Sequence, residues 1–121
     1  MTNQIFSERV SDFNRLVAGF EYHEAHNKYY DEALVKHENE DAPTIGLHQH
    51  RQEMEVFLSK ISNQSAKVLN VTLSDDISVT EWHYQFEHTE WGKRDFRQVS
   101  VQRWKAGKII HERHLYKTQT W

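Results

Sequence analysis

Apolar residues recur every three or four positions in the first third of the chain and alternate in the second half. Val10, Phe13, Leu16, Val17 and Phe20 fall on one helical stripe, so residues 8–30 are expected to be mostly helical. Ser7 or Ser11 would cap the start, and Gly19 would interrupt the run. A short second helix over residues 21–29 would carry Tyr22, Ala25, His26 and Tyr29 on one side. Residues 30–39 read as a strand, ending in the charged cluster 37–41, and Pro43 marks a loop. Leu47, His50, Met54, Phe57, Leu58 and Ile61 share one face of a third helix over residues 46–61, which Ser62 to Ser65 would end. Beyond residue 65 the period becomes two. Strands are expected over 67–73, 77–88, 96–105 and 108–117, separated by a turn at Asp75 and Asp76, a loop at 90–94 pivoting on Gly92, and a tight turn at Ala106 and Gly107.

Helices first and mostly antiparallel strands last make an α+β fold: a curved antiparallel or mixed sheet with the N-terminal helices packed on its concave face. Strands of ten to twelve residues exceed the common length of about 5–6, so the sheet must twist and curl, enclosing a cone-shaped space. The 121 residues suit one domain, 1–121. A net charge of -3 argues against a nucleic-acid partner, and the absence of cysteine excludes disulfides and thiolate metal sites. No apolar run approaches the roughly 18 residues of a membrane span, and no basic-then-apolar leader opens the chain. A soluble, cytoplasmic protein without a membrane partner is the expectation.

The final hairpin carries the chemistry. On its returning strand Ile110, Glu112, His114 and Tyr116 are expected to share a face, since strand side chains alternate. A charge at Glu112 would be costly in plain core. Either Glu112 pairs with Arg97, Arg103 or Arg113 at the sheet surface, or it lines a cavity. A bulge near the turn would exchange the faces of one strand.

Three pieces of the chain, in this order and spacing, resemble the SnoaL-like proteins of the nuclear-transport-factor-two-like, or cystatin-like α+β cone, superfamily. They are Tyr29-Tyr30-Asp31 with the strand ending Glu38-Asn39, the run Pro43-Thr44-Ile45-Gly46 before the third helix, and the stretch from Trp104 through Glu112 to Tyr116. The resemblance spans residues 10–116. It implies an open cone with a pocket between helices and sheet, and a homodimer formed through the sheet's outer face. It also implies chemistry of the kind that ketosteroid isomerase, polyketide cyclases, limonene epoxide hydrolase and scytalone dehydratase perform, namely proton transfer or water activation in an apolar pocket. Lys117 stands where the family pattern often has an acid, and neither the Asp-Tyr-Asp set of the isomerase nor the Asp-Arg-Asp set of the hydrolase aligns.

Glu112 is the expected proton acceptor, its pKa raised by desolvation or lowered by a cationic His114, which tunes it. Tyr30 and Tyr116 would orient a carbonyl or hydroxyl. Glu38, closing the early strand near the rim, would meet Tyr30 or Tyr116 inside or else belong to a solvated turn. Trp82, Tyr84 and Phe86 form an aromatic stripe that is core, cone lining or dimer interface, while Trp91 and Trp121 would pack on a partner subunit. None of the nine histidines forms a helical His-x-x-x-His pair. His26 and His114 could join a carboxylate in a metal site, but structural histidines are favoured, so neither metal nor cofactor is expected, and His26 is placed with the ligand-binding residues. Two readings compete: a pocket protein for a small hydrophobic or polyketide-like molecule, of isomerase, cyclase or hydratase type, and a non-catalytic dimeric binding or assembly module whose cone is filled by its own aromatics.

Overall fold

The computed structural model describes residues 3–117. The elements run α1 (Asn3–Ala18), α2 (Tyr22–Tyr29), β1 (Tyr30–Glu38), β2 (Thr44–Ile45), α3 (Leu47–Ser59), β3 (Ile61–Ser74), β4 (Ile77–His88), β5 (Gly92–Lys105) and β6 (Lys108–Leu115). The strands form one six-stranded sheet in the order β2-β1-β6-β5-β4-β3. It is mixed: β1 runs parallel to β6, and the other neighbours are antiparallel.

Phe6, Val10, Phe13 and Val17 are the buried stripe of α1, which starts earlier than the sequence pattern shows because Phe6 extends it by a turn. Its end is a Schellman arrangement. The Glu21 N–H donates to the Leu16 carbonyl at 2.9 Å, the Phe20 N–H donates to that of Val17 at 2.9 Å, and Phe20, not Gly19, takes the left-handed conformation (φ 57°). The rings of Phe6, Phe13 and Tyr29 converge on Trp104 at centroid distances of 5.7, 5.8 and 5.8 Å, in edge-on or nearly edge-on contacts, and fill one end of the cone.

The strands depart from the sequence pattern in three places. β3 begins at Ile61, so Ser62 to Ser65 are strand and not the end of a helix; this edge is polar, and the register shifts between Ser62 and Ser65, where Asn63 is left-handed (φ 52°). β5 begins at Gly92 rather than at residue 96, because the β4 ladder continues to the pair His88–Gly92. The final hairpin closes as expected at Ala106 and Gly107, whose φ values of 51° and 79° make a type I′ turn. The register then shifts, Trp104 pairing with Ile109 and Arg103 with His111. The extra residue corrects the expected face: Ile109, fully buried, joins Glu112 inside, and Ile110 does not.

The inner face of the sheet is therefore read across its rungs. One rung is Lys36–Glu112–Gln102–Ser78 and the next Glu38–His114–Ser100–Thr80. Toward the open end follow Gln98–Trp82, Phe96–Tyr84 and Arg94–Phe86. The face changes from polar to aromatic along the strands.

Candidate active site

Glu112 is the centre of the polar rungs, 1% exposed. The Tyr30 hydroxyl, at the start of β1, donates to its two oxygens at 2.8 and 2.7 Å. The Gln102 amide donates to Oε2 at 2.8 Å. His114 Nε2 lies 3.1 Å from Oε1. A relay fixes the amide: the Trp104 indole N–H donates to Ser78 Oγ at 2.9 Å, and that hydroxyl donates to Gln102 Oε1 at 3.0 Å, leaving the NH2 group for the carboxylate. Arg97, Arg103 and Arg113 do not meet Glu112, so the surface-pairing alternative fails; Arg113 donates to the Asn39 carbonyl and Arg103 pairs with Asp76.

Desolvation works against the charge on Glu112, but the cationic imidazole of His114 and the hydrogen bonds from His114 and Gln102 outweigh it and hold the carboxyl below its ordinary range. For His114, burial acts downward and the Glu112 carboxylate upward, and the carboxylate wins. Each partner thus favours the charged form of the other. The other imidazole nitrogen, Nδ1, is 2.8 Å from Ser100 Oγ and 3.1 Å from Gln98 Nε2. A neutral imidazole accepts there from the hydroxyl, and a protonated one donates to it, so His114 has partners in either charge state.

Three buried groups flank this centre. His50, from α3, stacks on Tyr30 (18° between planes, 5.2 Å between centroids), and its burial lowers the pKa to about 3. His26, from α2, packs on His50 and Tyr30 at 4.7 and 5.0 Å and is pulled down by burial to about 4. His26, expected among the ligand-binding residues, stands behind the wall that Tyr30 and His50 form and packs on both. Lys36 is buried by its packing on the rung beside Glu112, and it reaches Glu38 at 3.2 Å and Glu53 at 3.6 Å. Glu38 meets the Tyr116 hydroxyl, and burial followed by that carboxylate raises the phenol's pKa.

The centre opens on a cavity of about 550 Å³, a size within the roughly 300–1,000 Å³ of small-molecule sites. Tyr30, Glu38, Trp82, Tyr84, Phe86, Glu112, His114 and Tyr116, the residues singled out in the sequence, all line it. Residues missed in the sequence also line it: Lys36, His50, Arg94, Gln98, Ser100 and Gln102. The β5 members carried a signal, since Gln98, Ser100 and Gln102 lie at two-residue steps from the buried Trp104. Trp91 stacks on His88 (3.7 Å) and tilts against Phe57 (6.4 Å) within its own chain, at the rim, and it is 51% exposed. Trp121 lies outside the described residues.

Among the described residues no three His, Cys, Asp or Glu side chains are grouped to hold a metal ion. Among the described residues no helix is long and apolar enough to cross a membrane.

Sheet order, three helices and a lined hollow decide the architecture. The chain has the SnoaL-like, nuclear-transport-factor-two-like cone fold. A Mesorhizobium loti protein named as a SnoaL-like polyketide cyclase superposes with a TM-score of 0.79 at 19% identity, over 94% of this chain and 98% of that one. A nuclear-transport-factor-2-like protein of unknown function from Burkholderia pseudomallei gives 0.80 at 10% identity, over 98% and 93%. A Mycobacterium tuberculosis protein described as an LEH-like epoxide hydrolase gives 0.74 at 12% identity, over 91% and 80%. No protein-family model matches the sequence, and no curated protein matches it. At these identities the likeness is one of fold, and the chemistry has to be argued from the site.

Proposed function

We propose that this SnoaL-like protein binds a small, ring-bearing carbonyl compound in its cone and moves protons on it, as an isomerase, cyclase or hydratase does. The observation that carries the reading is the Glu112–His114 ion pair on the floor of a cavity whose remaining walls are largely aromatic. The proton carrier is His114 rather than Glu112. The carboxylate has both oxygens covered by donors and a depressed pKa, which makes it a weak base; the imidazole side chain is 17% exposed against 1% for Glu112. Glu112 holds the ring and keeps it cationic. The imidazolium donates to a carbonyl oxygen of the bound molecule and stabilises the negative charge that grows there. Glu38, beside His114 on the same rung and 36% exposed, takes the proton from the adjacent carbon, and Tyr116 orients it.

Exchange of the methyl protons of 2-acetylnaphthalene in D2O buffer, followed by proton NMR, tests this. The protein accelerates exchange, and His114→Gln and Glu38→Gln each remove most of the acceleration, by roughly 10²-fold or more. Exchange at the buffer rate with the ketone still bound leaves a binding module, the competing reading. The size of the cavity already weighs against a cone filled by its own side chains. Assembly as a homodimer belongs to the same proposal: Val79 and Val101 pair on the outer face, half-buried in the isolated chain, and sedimentation of a single 14.5 kDa species would remove it.

A further inference from the structure

The polar floor accounts for the carbonyl end of a ligand. A second polar group sits at the opposite end of the cavity, and the reaction does not use it. Arg94 pairs with Phe86 in the β4–β5 ladder, so its side chain belongs to the inner face, half-buried. Aromatic rings surround this end: Phe86 contacts Phe57 at 5.3 Å and Phe96 at 5.8 Å, and Trp91 leans on Phe57. A planar guanidinium bordered by rings at the mouth of a cavity is suited to an acidic partner. None is supplied. Its hydrogen bond is a long one, 3.3 Å, to the carbonyl of the preceding Lys93. Among the described residues no carboxylate lies within ion-pairing distance of it, although Glu38, Asp41, Glu53 and Glu112 line the same cavity. Glu38 and Glu53 are taken by Lys36, Glu112 is taken by His114, and Asp41 is exposed.

We infer that Arg94 is the subsite for a carboxylate carried by the ligand, so that the molecule bound here is a flat aromatic acid with its carbonyl at the far end from its carboxylate. The planar guanidinium matches a carboxylate through two parallel N–H···O bonds, and the flanking rings accept the flat apolar body. Ser100, the rung neighbour of His114, lies six positions along β5 from Arg94. At about 3.3 Å per strand residue this places the two strand positions roughly 20 Å apart. A fused-ring body with a polar group at each end covers part of that span, and the long Arg94 side chain covers the rest. The inference rests on the binding reading above, since it assigns the second end of the same ligand.

The test compares 6-acetyl-2-naphthoate with its uncharged amide, 6-acetyl-2-naphthamide, by calorimetric titration of the full chain. The acid binds at least about tenfold more tightly than the amide. Arg94→Gln brings the two ligands to within about twofold of each other, and Arg94→Lys retains part of the difference because it keeps charge and loses the fork. The unliganded Tm of each variant reports whether it folds, and the acid-to-amide ratio of the unaltered protein stands without any variant. Equal binding of acid and amide overturns the carboxylate subsite and leaves the cavity reading in place. A preference for the acid that persists in Arg94→Gln also overturns it. Failure of both ligands to bind takes away the cavity reading together with this inference.

Discussion

The cone has two ends built of the same kinds of residue and used in opposite ways. At the closed end Phe6, Phe13 and Tyr29 meet Trp104 ring to ring, and all four are buried. At the open end Trp82, Tyr84, Phe86 and Phe96 are also in mutual contact, but they stand along a wall and leave about 550 Å³ before them. What separates the two is the pair of polar rungs between them. Glu112, Gln102 and His114 cannot be covered by apolar side chains without losing their partners, so packing stops there and the hollow begins. The buried polar network thus does two jobs: it closes the core on one side and forms the floor of the hollow on the other.

The sharpest way to break this comparison is to cut one ring from each end. Trp104→Ala removes a buried indole and its hydrogen bond to Ser78, and it should cost about 4 kcal/mol in a denaturant titration. Phe96→Ala, facing an existing void, should cost about 1 kcal/mol and instead weaken ligand binding. Equal costs would mean that the open end is packed like the closed one.

Next in size is the network itself. Glu112→Ala leaves the Tyr30 hydroxyl, the Gln102 amide and a cationic His114 without an acceptor and should cost about 3 kcal/mol in the same titration. Glu112→Gln keeps the shape and removes the charge. It should lower the His114 pKa and shift the pH profile of proton exchange toward acid, an effect that a purely structural residue would not produce.

The pH dependence of stability sharpens the point further. His26 and His50 are depressed by burial, to about 4 and about 3. Their unfolded forms bind protons near pH 6.5, so the stability they contribute is present above 6.5 and lost as pH falls. Each contributes a slope of up to about 1.4 kcal/mol per pH unit between 6.5 and its folded pKa. Glu112, also depressed, adds to the loss below its unfolded value near 4.5. His114 acts in the other direction, because its folded pKa is raised: its contribution is full below 6.5 and fades as pH rises through the folded value. Denaturant midpoints from pH 4.5 to 8 should fall on the acid side, and His50→Phe should flatten that fall. A flat profile in the unaltered protein would place the two histidines in water.

The smallest effect concerns the turn that aims β6. Ala106 occupies a left-handed conformation at φ 51°, which a side chain without a polar group tolerates poorly. Ala106→Asn should raise stability by about 0.5–1 kcal/mol, read as a rise in Tm, with the site unchanged.

Much of this was legible in the sequence where hydrophobicity and geometry agree. Trp82, Tyr84 and Phe86 alternate with polar neighbours, which marks them as one face, and the structure turns that face inward. Glu112 stood out because a charge was flanked by strand residues of a hairpin that had to be half-buried. The rest was hidden for physical reasons. Gln98, Ser100 and Gln102 point inward but are polar, so the apolar alternation that identifies a buried face is silent on them. Ile109 and Ile110 are adjacent and identical, and only the bulge chooses between them. Ser62 to Ser65 look like a helix end because an edge strand can be as polar as a turn. Lys36 looks like an exposed strand residue until Glu38 and Glu53 are seen to converge on it.

The central claim is that a buried carboxylate holds a cationic imidazole on the floor of a hollow open to other molecules. An NMR titration of the His114 ring, run with and without 2-acetylnaphthalene, measures both halves at once. The account predicts a pKa above the ordinary 6.5 that falls in Glu112→Gln, together with ring shifts that move on adding the ketone. A value of 6.5 or below in the unaltered protein, or ring signals indifferent to the ketone at saturating concentration, would contradict it.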